Sequence, residues 1–223
     1  IMVVLFPVGA VAYYFTVKSR AGSTLSPSIL QTIKQKNTAN EIETNETLQL
    51  KEMIEKFHKA YHYEKLGEAY LEQKKYSLAI PQFKEAIERD SESNKARYGL
   101  SKAFHAMGNY SEAAEALEEL VKMDRKYDYG NAIFGLAECY RLAGLEEKAL
   151  KAYEEVINSF HFFKAIYHYA NLLDQKGEKE KAISQMKSII GSSKDLPDYK
   201  LEKERHWIDE AYKFLRKNGI ELA

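Results

Sequence analysis

"AMGNYSEAAEAL", residues 106–117, ends one helical pattern at Gly108 and starts another two residues later, with small alanines where the new helix begins. Glycine adopts the left-handed conformation that ends a helix without the steric cost of a side chain. Alanine on a helix face lets a second helix approach closely. The segment therefore predicts a tight helix–turn–helix, and Asn109, three residues before Glu112, predicts a capping box at the start of the second helix.

The same arrangement recurs in four copies, with a period close to the roughly 34 residues of a helix–turn–helix repeat. Each copy has a small residue in its first helix and another in its second, and three copies have a glycine between the two. Large apolar residues three or four positions away complete an amphipathic stripe. The small residues of the first helices are Gly67, Ser101, Ala137 and Ala170, those of the second helices are Ala79, Ala113, Ala149 and Ala182, and the glycines are Gly108, Gly144 and Gly177.

These positions resemble the tetratricopeptide repeat family over residues 60–190. The resemblance implies an all-α solenoid of four helix–turn–helix repeats, at 60–93, 94–129, 130–162 and 163–190. The chain departs from the family pattern at the fourth position of each copy, where only Tyr63 is aromatic, and it lacks the proline that often closes a repeat. The step between the second and third copies is two residues longer, which affects the local curvature but not the architecture.

The segments on either side of the repeats predict a cover for each end of the solenoid. Residues 46–59 have an amphipathic pattern typical of a lead-in helix, which either caps the first repeat or continues into it. Residues 198–218 predict a C-terminal capping helix, with Trp207 packing on the last repeat and Gly219 as the stop. Terminal repeats need such covers because their outer apolar faces would otherwise meet water.

The N-terminal segment has a different character. Residues 1–17 carry no charge and precede Lys18 and Arg20, a pattern typical of a membrane-spanning helix or of the apolar core of a signal peptide. Because the stretch is longer than most signal cores and lacks a convincing cleavage site, we expect a retained single-pass transmembrane anchor at 1–18. Residues 19–45 predict a flexible tether. A bacterial inner membrane is favoured, with the repeats on the cytoplasmic or the periplasmic side.

Composition and the scattered reactive residues favour binding over catalysis. Equal numbers of basic and acidic residues, 33 each, give a formal net charge of zero, which lends no support to a nucleic-acid partner. Cys139, the single cysteine, predicts an inert buried thiol. His58 and His62 can face one side of a helix, but no third metal ligand accompanies them, and no phosphate-binding loop or nucleophile elbow occurs. We therefore expect no enzyme activity, metal, cofactor or small-molecule substrate.

Stacked helix pairs present a concave surface lined by the first helix of each repeat. Tyr98, Phe134 and Tyr167 recur at one position of that helix and predict an aromatic ladder. The rings either form a large contact area for a bound segment or pack between helices and show only an edge. The repeat register predicts the following groove residues: Tyr61, Glu64, Glu68, Tyr98, Lys102, His105, Phe134, Glu138, Arg141, Tyr167, Asn171 and Asp174.

The resemblance together with the N-terminal segment predicts a non-enzymatic, membrane-tethered scaffold that binds a protein partner in this groove, in the assembly of a membrane-associated complex. Two alternatives stay open: a structural subunit of a large envelope or membrane machine that uses its convex face or its ends, and an accessory subunit of an enzyme complex. Co-chaperone members of the family hold a peptide C-terminal carboxylate through Lys and Asn. Here Glu64 and Glu68 occupy the corresponding first-repeat positions, and their charge predicts that such a ligand is repelled.

Overall fold

The computed structural model describes residues 43–220 of the chain, and this part is helical from end to end, with no strand. Ten α-helices and one short 3-10 helix follow one another in it. The α-helices are α1 (Asn45–Phe57), α2 (Ala60–Glu72), α3 (Tyr76–Arg89), α4 (Asn94–Ala106), α5 (Tyr110–Met123), α6 (Asn131–Leu142), α7 (Glu146–Phe160), α8 (Phe163–Gln175), α9 (Lys179–Ser193) and α10 (Asp198–Lys217), and the 3-10 helix is Tyr127–Gly130.

Helices α2 to α9 form four antiparallel hairpins, and each second helix also packs against the first helix of the next hairpin. The alanines predicted for the second helices are completely buried in all four copies. Between the first two hairpins the ring of Phe83 lies so close to α2 and α4 that a Cβ atom at Gly67 or Gly99 would overlap it. Small residues thus set the separation of the helices, and the predicted all-α solenoid of tetratricopeptide type is confirmed for the described residues.

The turns inside the hairpins follow the predicted glycines. Gly108, Gly144 and Gly177 all have φ between 74° and 82°. After each of them, the next backbone N–H donates to a carbonyl in the last turn of the first helix, as in Asn109 N to Phe104 O at 3.0 Å. The copy without a glycine makes the same turn with Lys74, at φ 57°. The predicted left-handed turns are confirmed.

The predicted capping box at Asn109 is wrong. The Asn109 side chain accepts no hydrogen bond from the start of α5. The physical reason is that Asn109 completes the preceding turn, and its ψ of 69° lies outside the extended range usual for an N-cap residue. A side-chain cap does occur at α4, where Ser93 Oγ accepts a hydrogen bond from Ala96 N at 3.1 Å.

One helix lies at each end of the described region, α1 before the first repeat and α10 after the last. The lead-in helix α1 does not continue into the first repeat, because His58 has a left-handed backbone conformation with φ 47° between α1 and α2. His58 and His62 consequently do not share a helix. At the other end α10 packs on α9 and α8 and buries Ile208, Ala211 and Leu215.

The predicted anchor at 1–18, and the predicted tether at 19–45 except its last three residues, lie outside the described residues. Within residues 43–220, no helix has the length and apolar character needed to cross a bilayer.

Candidate partner-binding groove

The first helices of the four repeats, α2, α4, α6 and α8, together line one surface of the array, which we call the groove. All twelve predicted groove residues lie on these helices. Tyr61, Lys102 and His105 are exposed, Glu138 is buried, and the other eight are half-buried. A partner in the groove would therefore meet mostly side chains that are already held on one side by their neighbours.

The three ladder residues occupy equivalent places, and each ring meets an aromatic ring from the segment that follows its helical hairpin. Tyr98 lies edge-on to Tyr127, with ring centroids 5.3 Å apart. Phe134 lies edge-on to Phe162 at 6.0 Å, and Tyr167 lies tilted against Trp207 at 5.4 Å. The ladder rings therefore pack between elements and also show a half-buried face to the groove, so the two interpretations of the ladder are compatible.

The longer step between the second and third repeats builds part of the groove. It contains the 3-10 helix Tyr127–Gly130, in which Asp128 and Tyr129 are both left-handed, at φ 51° and 55°. Residues other than glycine adopt this conformation at a cost of about 1–2 kcal/mol each. The turn is held because the Tyr98 hydroxyl donates to Asp128 Oδ2 at 3.0 Å and Asn131 Nδ2 donates to the Asp128 carbonyl oxygen at 2.8 Å. Burial and this hydrogen bond raise the pKa of Tyr98.

The two carboxylates of the first repeat are engaged by the second repeat. Lys95 Nζ lies 2.7 Å from Glu68 and 3.6 Å from Glu64, and Ser93 Oγ donates to Glu64 at 2.8 Å. The hydrogen bond to Glu68 raises the pKa of Lys95. Glu64 and Glu68 thus join α2 to the start of α4, and a cation that the sequence analysis did not single out offsets their charge.

A compact ionic cluster forms the floor of the groove at the third repeat. The buried Glu138 carboxylate accepts hydrogen bonds from Arg141, at 3.0 Å, and from the Tyr153 hydroxyl, and it lies 3.8 Å from His168 Nε2. Burial acts to raise the pKa of Glu138, but the hydrogen bonds from Arg141 and Tyr153 outweigh it and hold that pKa below its usual range. Burial lowers the pKa of His168. Glu138 and Arg141 form an ion pair with each other. Their charges therefore stabilise the fold rather than attract a partner.

Two lysines of the groove remain without a counter-ion. The Lys102 ammonium lies 4.0 Å from the centre of the Tyr98 ring. The Lys164 ammonium lies 4.9 Å from the centre of the Phe134 ring and 5.9 Å from that of Trp207. Among residues 43–220, neither ammonium has a carboxylate within ion-pairing distance. Aromatic faces attract these cations but leave their N–H groups free to donate to a ligand.

Two cavities open from the groove on either side of Tyr98 and Lys102. The first, about 360 Å³, lies between α2, α4 and the 3-10 turn, and Leu71, Tyr98 and Tyr127 provide its apolar walls. The second, about 350 Å³, lies between α4 and α6, and its apolar walls include Tyr98 and Phe134. Tyr98 and Lys102 border both cavities.

Five residues that shape the groove were not among the predicted set: Lys95, Tyr127, Asp128, Lys164 and Trp207. Lys95 and Lys164 could have been predicted from the sequence, because each is the second residue of its repeat. Trp207 was expected to pack, and it does lie against Tyr167, but it also closes the groove end with its ring near Lys164. The other two lie in the longer step between repeats, where the repeat register gives no position.

The described part of the groove contains neither a metal-binding cluster nor an exposed thiol. Within the described part of the chain, no three His, Cys, Asp or Glu side chains are grouped so that they could hold a metal ion. Cys139 borders the second cavity but is only 1% exposed. Burial raises the pKa of its thiol to about 12, so the thiol stays protonated and unreactive at neutral pH.

Comparison with known proteins identifies the repeats. Two family models described as tetratricopeptide repeat match the chain, one at residues 70–133 and the other at residues 131–160. This part of the chain therefore consists of tetratricopeptide repeats.

Superkiller complex protein 3 of Mus musculus is 32% identical over 117 residues, and the Homo sapiens protein of the same name is 30% identical over 117 residues. Each match covers 49% of this chain but only 7% of the relative. This chain thus corresponds to a small part of those proteins.

Solved structures share the fold. A crystal structure of MamA protein superposes with a TM-score of 0.61 at 21% identity, covering 86% of this chain and 93% of that one. The crystal structure of YrrB, described as a TPR protein with an unusual peptide-binding site, has a TM-score of 0.57 at 17% identity and covers 74% of this chain and 91% of that one. At this level of identity the likeness shows the solenoid fold alone.

Proposed function

We propose that the chain is a non-enzymatic scaffold that binds an extended segment of a protein partner in the groove, and that it serves in the assembly of a membrane-associated complex. The observation that carries the proposal is the pair Lys102 and Lys164. Each is a cation without a counter-ion among the described residues and lies over aromatic rings, whereas the nearby Glu68 and Glu138 are already ion-paired with Lys95 and Arg141. Unpaired cations beside exposed ring faces provide both attraction and contact area for a partner.

Tetratricopeptide repeats commonly act as protein-interaction modules, and their stacked hairpins supply a curved surface for it. A YrrB structure with a peptide-binding site on the same fold supports this choice of function. The partner-binding roles of the twelve groove residues belong to this proposal. Arg141 is a poor residue for testing it, because its charge reversal would also break the ionic cluster with Glu138 and Tyr153.

Site-specific photo-crosslinking in the cells that make the protein tests the proposal. A photo-reactive amino acid replaces His105, which is exposed in the groove, or Lys151, which is exposed on the second helix α7 as the matched control. We expect a discrete partner adduct from position 105 and none from position 151. Adducts from position 151 alone would favour the structural role of the convex face and contradict groove binding.

The proposed membrane tether rests on the uncharged residues 1–17 and the basic residues that follow them. We propose that this segment is a retained anchor in a bacterial inner membrane, with the scaffold on its cytoplasmic or periplasmic side. Extraction of cell membranes with alkaline carbonate tests it, since a spanning helix stays in the bilayer whereas a peripheral protein is released. Release of the full chain into the supernatant would contradict the anchor and leave the groove proposal untouched.

A further inference from the structure

The geometry points to the chemistry of the segment that the groove takes. We infer that it is an acidic residue flanked in sequence by large apolar side chains, with the carboxylate at Lys102 and one flanking side chain in each of the two cavities. This inference rests on the proposed function and specifies its ligand.

Lys102 and Tyr98 lie between the two cavities and border both. A ligand that fills both cavities must therefore pass directly over the Tyr98 ring and the Lys102 ammonium. The group of the ligand that lies at this point is the one that Lys102 selects.

The charged side chains around Lys102 indicate which ligand group binds there. Two of the carboxylates that line the cavities are ion-paired, Glu68 with Lys95 at 2.7 Å and Glu138 with Arg141 at 3.0 Å. Asp128, in the first cavity, accepts a hydrogen bond from the neutral Tyr98 hydroxyl at 3.0 Å and keeps its charge. Lys102 and Lys164 remain, and both border the second cavity. A carboxylate satisfies such a cation in a charge-assisted hydrogen bond, whereas a basic side chain there would be repelled.

The walls of the two cavities include large apolar and aromatic side chains. Leu71 and the rings of Tyr98 and Tyr127 form the apolar part of the first cavity, whose other walls are mostly charged, and Phe134 and Leu117 contribute to the second. Each cavity, at about 350–360 Å³, has room for one large apolar side chain. Aromatic walls of this kind favour aromatic or branched aliphatic anchors.

The 3-10 turn forms one wall of the first cavity. Without Tyr127 and Asp128 the first cavity would lose its outer wall, and the Tyr98 hydroxyl would lose its acceptor. Tyr127 and Asp128, in the longer step between the second and third repeats, thus help to form the first cavity beside the second one. The groove can consequently recognise two side chains of a ligand, one on each side of the ligand's charged residue.

Selection from a displayed library of random 12-residue peptides on the detergent-solubilised full chain tests the inference. Parallel selections use the double variant Lys102→Met with Lys164→Met, and the control Lys151→Met with Lys187→Met, which removes two exposed lysines from second helices. Selected peptides are resynthesised with Glu→Gln and Asp→Asn replacements. Their site is mapped with the photo-reactive residue at position 105.

We expect peptides with Asp or Glu between large apolar residues, crosslinking at position 105. Their affinity should fall about tenfold or more on neutralising the acidic residue, the size expected for a hydrogen bond between charged groups, and similarly in the Lys102 and Lys164 variant, but not in the control. Peptides that crosslink at position 105 without an acidic residue, or that bind as tightly after its neutralisation, would overturn the inference and leave the proposed function standing. If no selected peptide crosslinks at position 105, the proposed function fails with it.

Discussion

Replacement of Gly99 by alanine tests the packing that places α2 beside α4, and with it one side of the first cavity. A Cβ atom at residue 99 would lie 2.4, 2.5 and 2.9 Å from three atoms of the Phe83 ring. That ring is fully buried, and its Cε1 atom would also lie 2.7 Å from a Cβ placed at Gly67 on α2. The ring cannot move off one helix without pressing on the other, so the helices must separate.

Two effects of opposite sign decide the outcome. Glycine in a helix interior is about 0.5–1 kcal/mol less favourable than alanine, whereas overpacking a core costs about 1–3 kcal/mol. Three contacts with a confined ring place Gly99→Ala in the upper part of that range. We expect a net loss of about 1–2 kcal/mol in the free energy of unfolding, a fall in Tm of about 2–8 °C for a domain of this size.

Gly191→Ala is the matched control, because it introduces the same methyl group into helix α9 at a site with no atom within 4 Å. It should gain about 0.5–1 kcal/mol from helix propensity alone. Denaturant titration followed by circular dichroism compares the two variants with the parent. If Gly99→Ala were as stable as the parent or more stable, the argument that glycine sets the α2–α4 separation would be refuted.

Three further predictions follow from individual sites. Gly130 has φ 90° and a Cβ there would lie 2.7 Å from the Phe160 ring, whereas Gly108 has φ 80° and lies in open space. In chemical denaturation Gly130→Ala should therefore lower the free energy of unfolding by about 1–3 kcal/mol more than Gly108→Ala, because it adds overpacking. Equal losses of free energy would mean that Phe160 moves freely. Cys139 should resist alkylation at pH 8 in the native protein and react once urea unfolds it, because its thiol is buried with a raised pKa; fast native labelling would contradict this. Burial lowers the pKa of His168, against the opposing effect of Glu138 and with smaller contributions from Arg141 and Lys164. The unfolded chain therefore binds this proton more readily, so stability that is present above about pH 6.5 is lost as the pH falls from there through the lowered folded-state pKa. His168→Gln should make the free energy of unfolding less dependent on pH below about pH 6.5; an unchanged dependence would count against the buried site.

The repeat architecture could be predicted because its determinants are local and periodic. Gly108, Gly144 and Gly177 mark turns that the backbone makes within a few residues, and buried alanines such as Ala113 mark helix contacts at a fixed register. The same register placed all twelve predicted groove residues on first helices. The capping box failed because Asn109 belongs to the turn before it, a competition that the sequence spacing does not reveal.

The groove chemistry could be predicted only in part, because it depends on contacts between repeats. Lys95 reaches Glu64 and Glu68 of the preceding repeat, and Tyr98 bonds Asp128 in a turn that the repeat pattern does not cover. Arg141 belonged to the predicted groove set. Its side chain donates hydrogen bonds to Glu138 and Tyr153 and is therefore part of the ionic cluster in the groove floor. Which charges are paired, and which are left for a ligand, becomes visible only when the helices are stacked.

Hydrogen–deuterium exchange of the full chain, with and without a selected peptide, tests the central claim most directly. We predict slower amide exchange in α4 and α6, around residues 98–105 and 134–142, with little change in the second helices α5 and α7. Protection confined to α5 and α7, or absent from α4 and α6, would contradict a partner-binding groove formed by the first helices.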